Sequence, residues 1–161
     1  MRRFSLQRFT MHAISKTGLL CLTICAALGT SNVYADVADA ASASDATYIA
    51  LGGKDGLKKI VDDFLPIILA DVRIKDAFKD VDMPHLGERL VEQFCELSGG
   101  PCKYGGKNMQ DIHADLGITV AQFNALTEDL QVAMERNDIS SRAQNKLVAK
   151  LAPMQRKIVT K

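Results

Sequence analysis

The residue best suited to chemistry is His113, which lies in the segment Met109-Gln-Asp-Ile-His-Ala-Asp-Leu-Gly-Ile-Thr119. The spacing predicts one or two helical turns that break at Gly117. Upstream, a predicted helix precedes the breaker Gly99-Gly100-Pro101 and has one apolar face: Leu86, Leu90, Phe94 and Leu97. A histidine opposite an apolar wall is typical of a site for a planar apolar cofactor held through a metal, above all haem. A surface histidine or a satisfied core histidine is the plainer alternative.

The other side chains do not form a second reactive arrangement. The sequence has no Ser-His-Asp arrangement, phosphate-binding loop or zinc-type spacing of Cys and His. A helix cap and solvated helix faces account for Asp55, Asp62 and Asp63. Since Cys-x-x-Cys-His is missing, haem attachment of the cytochrome c kind is not expected.

The first 35 residues have the pattern of an export signal. Their start is basic and contains no acidic residue: Arg2, Arg3, Arg8 and Lys16. The apolar stretch from Gly18 to Gly29 is too short for a stable membrane anchor, and Val33-Tyr34-Ala35 ends it with small residues at the cleavage positions. We therefore predict cleavage after Ala35 and a periplasmic or secreted protein. The alternatives are a start at Met11 and an uncleaved anchor.

Composition divides the rest of the chain into a flexible linker over residues 36–47 and one domain over residues 48–161. The chain has 20 Lys and Arg against 19 Asp and Glu, and four of the basic residues lie in the first 35. The remainder therefore has 16 basic and 19 acidic residues, a formal charge of −3. With no basic patch, we expect neither nucleic-acid binding nor membrane insertion after cleavage.

The domain is predicted to be all-α, because apolar residues recur at spacings of three and four residues and the alternation typical of strands is missing. Asp55 is a candidate N-cap for a helix with one apolar face, formed by Leu57, Ile60, Val61, Phe64, Leu65 and Ile68. Pro66 lies within this helix and is expected to kink or shorten it. Further helical segments are expected at Tyr48–Leu51, Arg73–Phe78, Asp82–Ser98, Thr119–Arg136 and Ser140–Ile158.

These features resemble a group 1 truncated haemoglobin over residues 48–159. The resemblance rests on the following residues and motifs: Leu51-Gly52-Gly53, Val61-Asp-Asp-Phe64, Leu69-Ala70-Asp71, Phe78, Met83, Phe94, Gly99-Gly100-Pro101, Tyr104, Met109-x-x-x-His113-x-x-x-Gly117-Ile118-Thr119 and Leu151-Ala-Pro153. It implies a two-over-two helical sandwich around haem b.

The resemblance also assigns roles to residues. His113 matches the proximal iron ligand, whose other ring nitrogen normally bonds a backbone carbonyl or a carboxylate. Phe78 matches the aromatic residue that stacks on the porphyrin. Other apolar haem contacts are matched by Phe94, Met109, Ile118 and Phe123. Arg89 is expected near a haem propionate, or else is a solvated surface charge.

The distal side departs from the family pattern. Leu65 stands where Tyr is usual, Leu90 stands where Gln is frequent, and Leu86 has the position that faces the sixth coordination site. O2 is held by hydrogen-bond donors that contribute about 1.5–3 kcal/mol each when charge-assisted. We therefore predict weak, fast-releasing O2 binding and a relative preference for CO and NO. Gln93 or Arg89 remains an alternative donor.

Three functions remain open. The first is reversible binding of a diatomic gas. The second is electron transfer by a haem protein whose own side chain closes the sixth site, although Met83, His85 and Arg89 are poor ligands. The third is NO dioxygenation, an enzymatic activity that needs an external periplasmic electron donor.

Cys95 and Cys102 flank the Gly-Gly-Pro breaker at a separation of seven residues. In an oxidising compartment they can close a small ring that braces the approach to His113. The alternative is two separate thiols, one buried and one exposed.

Overall fold

The computed structural model describes residues 46–161, so the predicted signal peptide and most of the predicted linker lie outside the described part. A short helix α1 covers residues 46–50 and thus includes two residues assigned to the linker. The other α-helices are α2 (Gly53–Ala70), α3 (Met83–Leu97), α4 (Met109–His113), α5 (Val120–Arg136), α6 (Ser141–Leu151) and α7 (Gln155–Ile158). Two 3₁₀ helices cover Lys75–Phe78 and Ala152–Met154.

The helices form two packed pairs. α2 packs against α3 in one pair, and α5 contacts α6 in the other. α2 also lies against α5, and α3 against α6, so the first pair covers the second. The short helix α4 packs against α7. The all-α, two-over-two prediction is therefore confirmed.

The predicted stripe of α2 forms much of the core. Leu57, Ile60 and Ile68 are 0% exposed, while Leu65 is only partly buried. The stripe meets buried residues of the other helices: Phe94, Cys95, Ala125, Leu130, Ala133, Met134, Ala143 and Leu147. This burial supplies the main stabilising term, because each fully buried large side chain contributes about 1.5–3 kcal/mol.

Local sequence explains most helix starts. Asp82 caps α3 by accepting from the backbone N–H of His85 at 3.0 Å. Thr119 and Gln122 form a capping box at the start of α5. Ser140 caps α6.

The prediction for Asp55 was wrong. Gly52 is the N-cap of α2, with φ at +82°, and Asp55 lies in the first turn. The left-handed backbone of Gly52 turns the chain into the helix before Asp55 is reached. The Asp55 carboxylate then interacts with the positive end of the helix dipole instead of capping it.

Two prolines have opposite effects on the helical segments that contain them. α2 continues through Pro66 without shortening. Pro66 is exposed, so solvent can replace the hydrogen bond that the Asp62 carbonyl loses. By contrast, the single helix predicted to reach Ile158 is divided by the 3₁₀ turn that contains Pro153. No helix among residues 46–161 is both long enough and apolar enough to span a membrane.

A charged cluster joins the end of α2 to α5. Arg73 pairs with Asp71 at 2.7 Å and also with Glu128. Asp129 is 6% exposed, and its Oδ2 atom has no hydrogen-bond partner. Burial, reinforced by the charge of Asp71, raises the pKa of Asp129. Hydrogen bonds from Arg73 lower the pKa of Asp71.

Candidate functional site

His113 ends the five-residue helix α4, which begins after the N-cap Asn108. Nδ1 of His113 lies 2.7 Å from the carbonyl oxygen of Met109. Because a carbonyl oxygen only accepts, Nδ1 is the nitrogen that carries the hydrogen of this bond, so in the matching neutral tautomer the lone pair lies on Nε2. After the helix, Gly117 has φ at +59°, which lets the chain turn toward α5. The site thus contains an imidazole with Nδ1 oriented by the backbone and Nε2 directed away from that bond, the arrangement that suits a metal ligand.

His113 lines a cavity of about 470 Å³. This volume lies within the range of small-molecule and cofactor sites. Eight of the ten predicted site residues line it: His113, Phe78, Leu86, Arg89, Leu90, Phe94, Met109 and Phe123. Residues that are far apart in sequence therefore line the same cavity.

The other two predicted residues lie elsewhere. Ile118 lines a second cavity of about 280 Å³, which shares His113, Phe78, Leu86 and Phe123 with the first. Leu65 lines neither of these two cavities, so its place on the distal wall stays a prediction. Its Cδ1 atom would be 3.2 Å from a Cβ on Gly87, where the missing side chain leaves room between α2 and α3. Leu65 fills that interhelical space.

Sequence reasoning did not assign several residues that line the larger cavity. On the apolar side these are Phe64, Ile68, Leu126, Leu130, Leu151, Met154 and Ile158. Helical spacing from Phe123 points to Leu126 and Leu130, so periodicity alone was a usable signal for these two. Tyr104 and Lys107 lie in the segment between α3 and α4, where no periodicity indicates which side chains face inward.

Polar groups gather at one edge of the cavity. Arg89 pairs with Glu92 at 2.8 Å, while its Nε atom is buried and has no partner. Glu92 also accepts from the backbone N–H of Gly105 at 3.1 Å. The Tyr104 hydroxyl donates to the Lys107 carbonyl, and burial raises the pKa of Tyr104. The unpaired N–H of Arg89 fits a carboxylate such as a haem propionate.

The residues of α3 that line the cavity offer few free hydrogen-bond donors. Leu86 and Leu90 line the cavity as expected. Gln93 is 8% exposed, and its Nε2 atom donates to Sδ of Met109 at 3.3 Å. Gln93 thus has a partner on the protein, whereas Arg89 pairs with Glu92 through one Nη atom and keeps an unpaired N–H at Nε.

Cys95 and Cys102 form a disulfide, with their Cα atoms 5.7 Å apart. This separation is typical of protein disulfides. A Cβ on Gly100 would lie 2.7 Å from Cys95 Sγ and 2.6 Å from the Tyr48 ring, so only glycine fits inside the closed loop. The bridge fixes the end of α3 to the segment that leads to Tyr104 and α4.

Comparison with known proteins agrees with this architecture. The family model for the bacterial-like globin matches residues 46–160. The chain belongs to the bacterial-like globin family. It is a group 1 truncated haemoglobin, in agreement with the resemblance seen in the sequence.

Individual relatives support the assignment. The group 1 truncated haemoglobin of Tetrahymena pyriformis is 35% identical over 88 residues, which cover 55% of this chain and 73% of that protein. That of Mycolicibacterium paratuberculosis is 29% identical over 113 residues, covering 70% and 83%. The crystal structure of the Tetrahymena pyriformis protein in its Fe(III) form has a TM-score of 0.69 at 29% identity, covering 71% of this chain and 98% of that one. The chain is therefore a haem-binding globin.

Proposed function

We propose that this globin binds haem b through Nε2 of His113 and reversibly binds a diatomic gas, O2, NO or CO, on the other side of the haem. The observation that carries the proposal is the 2.7 Å contact between Nδ1 of His113 and the Met109 carbonyl. It leaves the imidazole in the tautomer and orientation that suit an iron ligand.

The haem supplies an iron with a free coordination position for the gas. The chain contributes the surrounding cavity, in which Phe78, Phe94 and Phe123 give apolar contact and exclude water. At the polar edge, the free N–H of Arg89 suits a propionate. These residues support a haem whose flat apolar faces are buried and whose charged edge meets a cation.

The apolar lining supports loose O2 binding. Leu86 and Leu90 cannot donate a hydrogen bond, and Gln93 already donates to Met109. The unpaired N–H of Arg89 is used by the proposed contact with the propionate. Without a donor, O2 loses a stabilisation of about 1.5–3 kcal/mol, which CO and NO need less. We therefore expect fast O2 release and a relative preference for CO and NO.

One observation favours a second function. His85 lines the same cavity as His113, so its imidazole is a candidate sixth ligand for a redox haem protein. Arg89 is less suited because it pairs with Glu92, and Met83 lines neither cavity. Either a redox role or NO dioxygenation also requires an external electron donor, for which a periplasmic protein is the proposal.

We also propose that residues 1–35 direct export and are removed after Ala35. The support is the basic start, the short apolar stretch and the small residues at Val33-Tyr34-Ala35. The disulfide between Cys95 and Cys102 agrees with an oxidising compartment.

The deciding experiment is the optical spectrum of the protein expressed with haem, reduced, before and after addition of CO. A five-coordinate ferrous form that converts fully with CO, and is lost in His113→Ala, supports the proposal. The matched control is His85→Ala, which should leave that spectrum unchanged. A six-coordinate ferrous form that resists CO and becomes five-coordinate in His85→Ala would instead establish the redox function.

A further inference from the structure

Gln93 and Met109 connect the two helices that border the cavity. Gln93 lies on α3, and its Nε2 atom donates to Sδ of Met109, the first residue of α4, at 3.3 Å. Gln93 is 8% exposed, and both side chains line the 470 Å³ cavity. A buried amide is costly unless it is hydrogen-bonded, so this contact satisfies a donor that has little access to water.

Met109 makes a second contact through its backbone. Its carbonyl oxygen accepts the hydrogen bond from Nδ1 of His113 at 2.7 Å. One residue therefore bonds to Gln93 through its side chain and to His113 through its main chain. The three residues form a continuous connection from α3 to the imidazole.

The helix that carries His113 has little stability of its own. α4 has five residues, and the chain between Leu97 and Met109 contains neither helix nor strand. So short a helix is unstable by itself and takes its orientation from tertiary contacts. The Gln93–Met109 contact is such a restraint at its first residue, while packing on α7 restrains the remainder.

We infer that Gln93 is a positioning residue for the proximal histidine: through Met109 it fixes the orientation of the His113 imidazole and hence the strength of its bond to iron. The inference rests on the proposed function, in which His113 is the iron ligand. It gives the amide a role on the proximal side, in place of the direct contact with the gas that its sequence position also allowed.

The test compares Gln93→Met, Met109→Leu and the double variant with the wild type. Methionine has nearly the length of glutamine but cannot donate, and the Met109→Leu change keeps the backbone carbonyl while removing the sulfur acceptor. Each single change should shift the iron–histidine stretching band of the reduced, ligand-free protein. Each should also speed haem transfer to an excess of apomyoglobin about fivefold, the effect of losing one net hydrogen bond.

The double variant should behave like either single variant, because both changes remove the same contact. Gln93→Leu is a second donor-free variant for the case in which Gln93→Met does not fold. Leucine has no donor and needs no hydrogen bond when it is buried, so it should shift the band in the same direction.

Gln144→Met is the matched control. Gln144 is 5% exposed, donates from Nε2 to the Ile139 carbonyl at 2.8 Å, and lines neither cavity. Its loss should lower stability by a similar amount without moving the stretching band. An unshifted band in Gln93→Met, or additive effects in the double variant, would overturn the inference. Failure of the proposed function is seen separately, as a wild-type spectrum that His113→Ala leaves unchanged.

Discussion

Nδ1 of His113 donates to the carbonyl oxygen of Met109 across one turn of α4, at 2.7 Å. This bond fixes the orientation of His113, which lies on a short helix and lines both the cavity of about 470 Å³ and that of about 280 Å³. Since the bond uses the backbone, no substitution at position 109 removes the acceptor. The orientation of the imidazole therefore depends on where the helix itself is held.

The first prediction uses a cavity variant. His113→Gly should lose haem during purification, because its only proposed protein ligand is gone. Added imidazole should restore a five-coordinate ferrous spectrum, since the small molecule can occupy the vacated volume and supply the same nitrogen. Haem retention is measured by absorbance with and without imidazole. Retention of an unchanged spectrum in His113→Gly would exclude His113 as the ligand.

The second prediction concerns the apolar wall. Leu90→Gln adds a donor to the cavity and should slow O2 dissociation about tenfold or more, because a charge-assisted hydrogen bond contributes about 1.5–3 kcal/mol. The CO dissociation rate should change less. Stopped-flow displacement of O2 by CO measures the rate, with Leu90→Met as the control of similar volume. An already slow O2 release in the wild type would contradict the proposed apolar distal side.

The third prediction concerns the disulfide. Reduction by a dithiol, or Cys102→Ser, should lower the free energy of unfolding by about 2–3 kcal/mol, because the unfolded chain regains the entropy of a small loop. Denaturant unfolding with and without the reductant measures this change. The stability of Cys102→Ser should not depend on the reductant. Equal stability of the oxidised and reduced wild type would show that the disulfide does not stabilise the fold.

The fourth prediction follows from the charged cluster around Asp129. The pKa of Asp129 is raised above the ordinary value of 3.8, chiefly by burial. At a pH between these two values, the folded protein keeps a proton that the unfolded chain has released. Stability should therefore fall as pH rises from the ordinary value toward the raised one. Asp129→Asn should remove this fall and be more stable than the wild type at neutral pH, since an amide has no charge to desolvate.

Asp71 acts in the opposite direction. Its pKa is lowered by Arg73, so its contribution is present above the unfolded pKa and is lost as pH falls. Because Asp71 remains in Asp129→Asn, the difference between the two unfolding curves isolates Asp129. In the folded protein Asp129 also faces Arg73 and Glu128. If the difference in unfolding free energy between the wild type and Asp129→Asn does not vary with pH, the pKa of Asp129 is not raised by folding.

The fifth prediction concerns export. The mature protein should begin at Asp36, and intact mass should show loss of residues 1–35. Ala35→Arg should block the cleavage, because a signal peptidase needs a small residue at this position. Recovery of the full-length chain in the soluble fraction of the wild type would contradict the export signal.

Several features were predictable because they depend on local sequence. The three-and-four spacing of Leu57, Ile60 and Phe64 defines a buried helix face wherever that helix packs. Asp82 caps α3 because its side chain reaches an N–H three residues on. The separation of Cys95 and Cys102 made a bridge sterically possible, although the sequence left separate thiols as an equal alternative.

The site was largely predictable, but only through resemblance. Nothing in the spacing of Phe78, Phe94 and Phe123 shows that they meet in one cavity with His113, and the family pattern supplied that relation. It did not show that Leu65 packs beside Gly87, in the space between α2 and α3. The spacing of residues in one helix does not predict the space that a neighbouring helix leaves for their side chains.

The sequence by itself determined which segments are helical, where most helices begin, and which histidine has an apolar neighbourhood. Only the tertiary structure decided that Pro66 is tolerated, that Cys95 bonds to Cys102, and that Gln93 bonds to Met109. The reason is physical: helix formation and capping depend on atoms within a few residues of each other. Solvent exposure, cavity lining and side-chain partners depend on helices that meet only after the chain has folded.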